Sequence, residues 1–380
     1  MEPVLFETRD TRSGHRVGVA TLNSEKTLNS LSLPMIDLLT AKLHAWREDE
    51  SVVAILIQGA GERAFSAGGD IQDLYKSMRE HPGGPNPYAD AFFEREYRLD
   101  FLLHTYPKPV IAWATGFVMG GGLGVMAACS HRIGTEQSRI AMPEITIGLF
   151  PDAGATWFLA RMPAHLSHFI AWTGCQLTAR DGQRVGLIDH VVRAGDKQAL
   201  FDALINANWT LDAAMNGELI DEAAHRMAAS AEALPPEALA GHENTILALV
   251  TESLRHKRPA TRFGELVSGV EPEDDWLSRA FATFRAGCPV TAHVVHEQIT
   301  RAQGLSLGKT FELELAIAIQ CSRHPDFVEG IRARLIDRDN TPAWRHASLA
   351  EVPEDYVNEH FVLPVAGGNP LRDLAAKEAT

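Results

Sequence analysis

Residues 110–124 read VIAWATGFVMGGGLG. Val110 to Thr115 form a short apolar run without a charge, which suits a buried strand. Gly116, Gly120, Gly121, Gly122 and Gly124 then interrupt the chain, and a helix is expected to open around residues 125–129. A strand that passes through a glycine turn into a helix leaves backbone N–H groups at the turn without intrahelical partners. A second stretch, AFSAGGDI at residues 64–71, follows the apolar run 52–57 and leads into a helix near Asp70. Two such loops side by side would aim two N–H donors at one developing oxyanion. Tight turns for close helix–strand packing explain either loop alone, but explain the pair less well. The uncharged stretch 109–130 is long enough to cross a membrane, yet its glycines divide it into strand, loop and helix start.

Further strand-like runs at 17–22 and 188–192, separated by helical patterns, predict an α/β fold of repeated strand and helix units. One helix follows Ser32, a suitable N-cap, with Pro34 in its first turn and Ile36, Leu39, Leu43 and Trp46 on one face. After about residue 194 the composition turns to Ala, Leu, Glu and Asp with helical spacing, as in KQALFDALINANW and DEAAHRMAASAEAL. A core over residues 1–200 and a helical C-terminal region over 201–380 are therefore expected. FELELAIAI at 311–319 alternates like a strand, but its residue types and the Phe311, Leu315, Ile319 spacing favour helix.

The 380 residues allow two domains or one large one, and 45% hydrophobic with 22% charged residues is an ordinary globular composition. The net charge of −14 opposes nucleic acid as a partner. Cys129, Cys175, Cys288 and Cys321 are scattered without a CxxC pair, which fits reduced thiols in a cytoplasmic protein rather than a zinc or disulfide framework. MEPVLFETRD has neither the basic start of a secretion signal nor the character of a transit peptide, so the chain is read as beginning as mature protein. GAGERA at 59–64 matches a dinucleotide fingerprint in letters only, because FSAGG follows where a helix should open. HVVHEQ lacks the order of a zinc helix, and His165, His168, His293 and His296 are read as surface or solvated histidines, leaving no metal site. Neither a nucleophile elbow nor a nucleotide phosphate loop occurs.

Residues 142–156 read MPEITIGLFPDAGAT, with Glu144 and Asp152 each directly after a proline in a mostly apolar stretch. Carboxylates are seldom buried without a partner or a function, so two oriented acids in a pocket are expected. Helix-capping or ion-paired structural acids are the alternative reading.

AFSAGGDI, GFVMGGGLG and MPEITIGLFPDAG together resemble the crotonase, or enoyl-CoA hydratase/isomerase, superfamily. LFPDAG, FLARM, TGCQLTARDGQRVGLIDHVV and HPDFVEGIRARLIDRDNTPAW at 324–344 resemble its 3-hydroxyisobutyryl-CoA hydrolase branch. The resemblance implies a crotonase (ClpP/crotonase-like) fold of repeated ββα units with a helical C-terminal region. It implies an acyl-CoA thioester hydrolase of valine catabolism, with an enoyl-CoA hydratase or isomerase as the alternative. Gly69 and Gly121 match the oxyanion-hole donors, and Glu144 and Asp152 match the catalytic acids. Ser66, Ala67, Asp70 and Ile71 match the loop that faces CoA. Lys26, in NSEKTLNSL where the family commonly has N-R-P-K, stands where a basic residue often approaches the CoA phosphates. Hydratases usually carry glycine at Asp152 and an acid at Gly124. No cofactor is implied beyond the CoA of the substrate, nor any membrane partner, and the resemblance allows a homo-oligomer.

Overall fold

The computed structural model describes residues 2–270, 272, 274–365 and 367–378. Among the described residues nine strands precede residue 193: β1 (Val4–Asp10), β2 (Arg16–Leu22), β3 (Val52–Gly59), β4 (Ala64–Ser66), β5 (Val110–Ala114), β6 (Phe117–Met119), β7 (His131–Thr135), β8 (Arg139–Ala141) and β9 (His190–Val192). Beyond them the described regular elements are helical. Six strands form one sheet in the order β1-β2-β3-β5-β7-β9, and β4-β6-β8 form another. Only β1 runs antiparallel to its neighbour in the larger sheet. The first six residues of β3 are all buried, as a parallel strand covered on both faces requires.

The helix expected after Ser32 spans Leu33–Glu48, with the Ser32 hydroxyl accepting from the Met35 N–H and Ile36, Leu39, Leu43 and Trp46 buried. FELELAIAI lies within the helix Leu307–Arg323. The uncharged stretch at 109–130 is strand β5, strand β6 and the helix Gly121–Ala128. Among the described residues no helix is long and apolar enough to cross a membrane.

Contacts divide the chain into two compact units that interleave along the sequence. The first contains the residues up to Gly69, Leu99–Ile140 and Gln176–Leu239. Its core includes Val17, Val19, Val53, Leu56, Ile111, Trp113 and Ile133, closed by Leu200, Leu204 and Ile220 from helices beyond β9 and by Trp209 from the connection between those helices. The second contains Asp70–Arg98, Ala141–Cys175 and the residues from Ala240 onward. There Trp172 packs on Phe263 at 5.0 Å between ring centres and Phe263 on Phe284 at 4.9 Å, while the Trp172 indole N–H donates to the Ala292 carbonyl.

Candidate active site

In the first unit β4 and β6 pair in parallel, so each leads its glycine loop away in the same direction. Gly68 has φ +103°, and a Cβ there would lie 3.6 Å from the Gly121 nitrogen and 3.2 Å from the Met119 carbonyl oxygen, so the two loops touch. A Cβ on Gly122 would come within 2.6 Å of the Ser66 Cβ and carbonyl oxygen, which explains why the helix must open with glycine. Gly120, at φ +50°, caps the helix Gly121–Ala128 without a side-chain bond, and the N–H of Gly121 lies in its unpaired first turn. Leu31 donates to the Gly68 carbonyl and Ala67 to the Leu28 carbonyl, which fixes the other loop and leaves the Gly69 N–H with no partner among the described residues.

Ser66 is buried, and its hydroxyl accepts from the Gly68 N–H at 3.3 Å; Ala67 is half-buried. Lys26 is exposed on the one-turn helix Glu25–Thr27. Asp70, in the second unit, is the N-cap of the helix Ile71–Glu80 and accepts from the Gln72 N–H. Ile71 is half-buried at the start of that helix.

The acids lie in the second unit. Pro143 leads into a single 3₁₀ turn, Glu144–Thr146, and Glu144 is only 4% exposed. Its Oε2 is buried and accepts no hydrogen bond among the described residues. Asp152 is equally buried, and its Oδ2 accepts the Tyr97 hydroxyl proton at 2.8 Å. Burial and then the neighbouring Asp152 charge push Glu144 well above the usual carboxylate range. Burial raises Asp152 to about 7 against the opposing Tyr97 bond. Once Asp152 is ionised, its charge makes the Glu144 proton the harder of the two to remove.

The segment carrying them is pinned by the C-terminal residues of the same unit. The Cys288 N–H donates to the Ile145 carbonyl at 2.9 Å. Gly148, at φ +71°, lies against the backbone of Asp326, and Gly330 packs against the backbone of Ile147, where any side chain would collide. Asp326 and Gly330 belong to the downstream HPDFVEGIRARLIDRDNTPAW stretch, and here that stretch braces the acid loop.

Three functional candidates escaped the sequence reading. Glu96 and Tyr97, on the helix Pro87–His104, and Glu314, on Leu307–Arg323, are buried in the same cluster. Burial, followed by the charges of Asp152, Glu314 and Glu144, holds the Glu96 carboxyl protonated far above its ordinary range. Its Oε1 accepts no hydrogen bond among the described residues. Burial lifts Glu314 to about 8, against hydrogen bonds from Thr156 and Gly154. The available signal was a glutamate at apolar helical spacing: Glu96 after Phe92 and Phe93, and Glu314 between Phe311 and Leu315.

The histidine reading is corrected. His168 and His293 are buried, and His168 Nε2 meets His296 Nδ1 at 3.2 Å. Burial lowers His168 and His293 to about 4, which keeps both rings neutral at ordinary pH. Aromatic contacts such as His168 on Trp172 show why these residues favour the interior. Among the described residues no three His, Cys, Asp or Glu are grouped to hold a metal ion.

A family model described as enoyl-CoA hydratase/isomerase matches residues 17–361. The chain belongs to the enoyl-CoA hydratase/isomerase family. Within the family, 3-hydroxyisobutyryl-CoA hydrolase, mitochondrial, of Danio rerio is 34% identical over 349 residues, covering 91% of this chain and 87% of that protein. The protein of the same name in Homo sapiens is 31% identical over 362 residues, covering 95% and 88%. Among solved structures, a carnitinyl-CoA dehydratase from Mycobacterium thermoresistibile matches with a TM-score of 0.82 at 32% identity, covering 98% of this chain and 99% of that one. An enoyl-CoA hydratase from Rhodobacter sphaeroides 2.4.1 matches with a TM-score of 0.78 at 28% identity, covering 94% and 97%. The crotonase-type α/β fold that the family resemblance implies is the one observed.

Proposed function

We propose that the protein hydrolyses acyl-CoA thioesters, with 3-hydroxyisobutyryl-CoA as preferred substrate and 3-hydroxyisobutyrate and CoA as products. The observation that carries this reading is the buried Glu144–Asp152 pair, with no carboxylate at Gly124. The vertebrate relatives named 3-hydroxyisobutyryl-CoA hydrolase support it.

In the proposed reaction the N–H groups of Gly69 and Gly121 take the thioester oxygen as it gains negative charge. Glu144, ionised, either adds to the carbonyl carbon to form an anhydride or removes a proton from the water that adds there. The C–S bond breaks, CoA leaves as thiolate, and Asp152 orients the acid or water and manages the proton. Water closes the balance, so the proposal invokes no metal and no redox cofactor. Glu96 offers its unpartnered oxygen to the 3-hydroxyl of the acyl group. Lys26, Ser66, Ala67, Asp70 and Ile71 are proposed to contact CoA. A cytoplasmic location, a role in valine catabolism and a homo-oligomeric state belong to the same proposal. The four cysteines, all buried and none in a disulfide, agree with a reducing compartment.

The solved dehydratase and hydratase favour the second reading, addition of water to an enoyl-CoA. Thiol release measured across short acyl-CoAs with and without a 3-hydroxyl, beside loss of the enoyl absorbance of crotonyl-CoA, separates the two. Thiol release should dominate and should fall at least about a hundredfold in Glu144→Gln. Faster hydration of crotonyl-CoA than thiol release by the parent would overturn the proposal.

A further inference from the structure

The turn that carries Asp152 has a backbone that does not hold itself. Ala153 has φ +54° and Gly154 φ +84°, so two successive residues are left-handed, and the first of them has a side chain. Such a conformation persists only where its surroundings impose it. Here two buried side chains do so. Glu314 Oε2 accepts the Gly154 N–H at 2.8 Å and Oε1 accepts the Thr156 N–H at 2.9 Å. Gln298, on the helix Pro289–Arg301, donates through Nε2 to the Pro151 carbonyl at 2.6 Å and to the Thr156 hydroxyl at 2.5 Å. Every one of these bonds ends on a residue flanking Asp152.

We propose that Glu314 is a positioning residue for the reaction above: its carboxyl group bridges the amides of Gly154 and Thr156 and thereby aims Asp152 at Glu144. Gln298 braces the same turn without a charge. A capping role toward the short helix Ala155–Leu159 would account for the two amide bonds. It would not account for a third buried acid so close to the other two. Glu314 lies within the electrostatic reach of Asp152 on the turn and of Glu96 and Tyr97 on the helix Pro87–His104, and Glu144 faces the same cluster. On its own helix Lys309 pairs with Glu312 and Arg323 with Asp90. The Asp152 charge helps to raise Glu314, and the hydrogen bonds that Glu314 accepts hold the turn in place.

This inference rests on the hydrolase reading for its choice of assay, so its test has one arm that does not depend on turnover. Glu314→Gln and Gln298→Met are compared with the parent by thiol release from pH 5.5 to 9, by thermal melting, and by ¹³C NMR of aspartate-labelled protein. The Asp152 signal is identified by its loss in Asp152→Asn. Because a Gln side chain accepts only one of the two amides, Glu314→Gln should loosen the turn and the Tyr97–Asp152 bond, lower kcat about tenfold or more, keep KM within about twofold, and move both the acid limb of the rate and the Asp152 titration to higher pH. Gln298→Met should lower kcat and move the limb in the same direction, because it frees the same turn. A kcat within twofold of the parent in Glu314→Gln, or a loss accompanied by a lower Tm and an unmoved limb, overturns the proposal. If Glu314→Gln fails to fold, Gln298→Met decides: a lower kcat at unchanged KM supports the proposal and an unchanged kcat overturns it. If the parent releases no thiol, the hydrolase reading fails, and the Asp152 titration in Glu314→Gln still decides the role of Glu314.

Discussion

Tyr97→Phe removes one oxygen from a fully buried ring and leaves its packing on Phe93 and Phe311 intact. What is lost is the 2.8 Å hydrogen bond to Asp152 Oδ2. A hydrogen bond to a charged group contributes about 1.5–3 kcal/mol, and one pKa unit corresponds to about 1.4 kcal/mol. The bond favours the ionised carboxylate, so its loss should raise the ionisation of Asp152 by about one to two units. Asp152 sits at about 7 in the parent, and in the proposed reaction it must be ionised to take up the proton it manages. The acid limb of the rate should therefore move upward, with a deep loss near pH 6 that recovers above pH 9. The assay is thiol release from 3-hydroxyisobutyryl-CoA against pH, with the uncatalysed rate subtracted at each point. A limb that stays within about 0.3 units of the parent, or moves downward, would refute the argument that Tyr97 stabilises the anion.

Asp152→Gly should abolish most thiol release without creating efficient hydration of crotonyl-CoA, because Gly124 supplies no second acid; a variant with unchanged thiol release would remove Asp152 from the reaction. Gly122→Ala drives a Cβ to 2.6 Å from Ser66, so a cost of about 1–3 kcal/mol and at least a tenfold lower rate are expected in melts and thiol assays. Gly195→Ala, where nothing lies within 4 Å, should match the parent in both measurements.

The fold was legible where local chemistry and burial agree. The β3 run is apolar because both faces of that strand are covered, and Ser32 starts its helix by an interaction three residues long. Strand β1 went unread because it is an edge strand with mainly exposed side chains and no alternation, and β7 because HRIGT is short and half polar. In the candidate site, Glu144 and Asp152 stood out through their prolines and apolar neighbours. Tyr97 and Glu314 did not, because what marks them is their partner: Tyr97 reaches Asp152 from 55 residues away and Glu314 reaches Gly154 from 160. His168 was misread for the same reason, since its bond to His296 spans 128 residues. Periodicity reports which face of a helix is apolar, and it carries no information on which distant polar group satisfies an acid placed there.

The Glu314 bridge also bears on the order in which the acid site assembles. A ribosome delivers residues in sequence, at about 5–20 per second. The turn at 151–156 leaves long before the helix Leu307–Arg323, so for roughly ten seconds or more the left-handed pair at Ala153 and Gly154 has neither of its braces. Closing a contact across 160 residues is also an intrinsically slow, high-contact-order step. The glycine loops, by contrast, depend on pairings such as Ala64 with Phe117 that arise early in synthesis. A nascent or C-terminally truncated chain should therefore acquire its N–H donors well before its acids, and competence for the reaction should appear late, as the last helices dock.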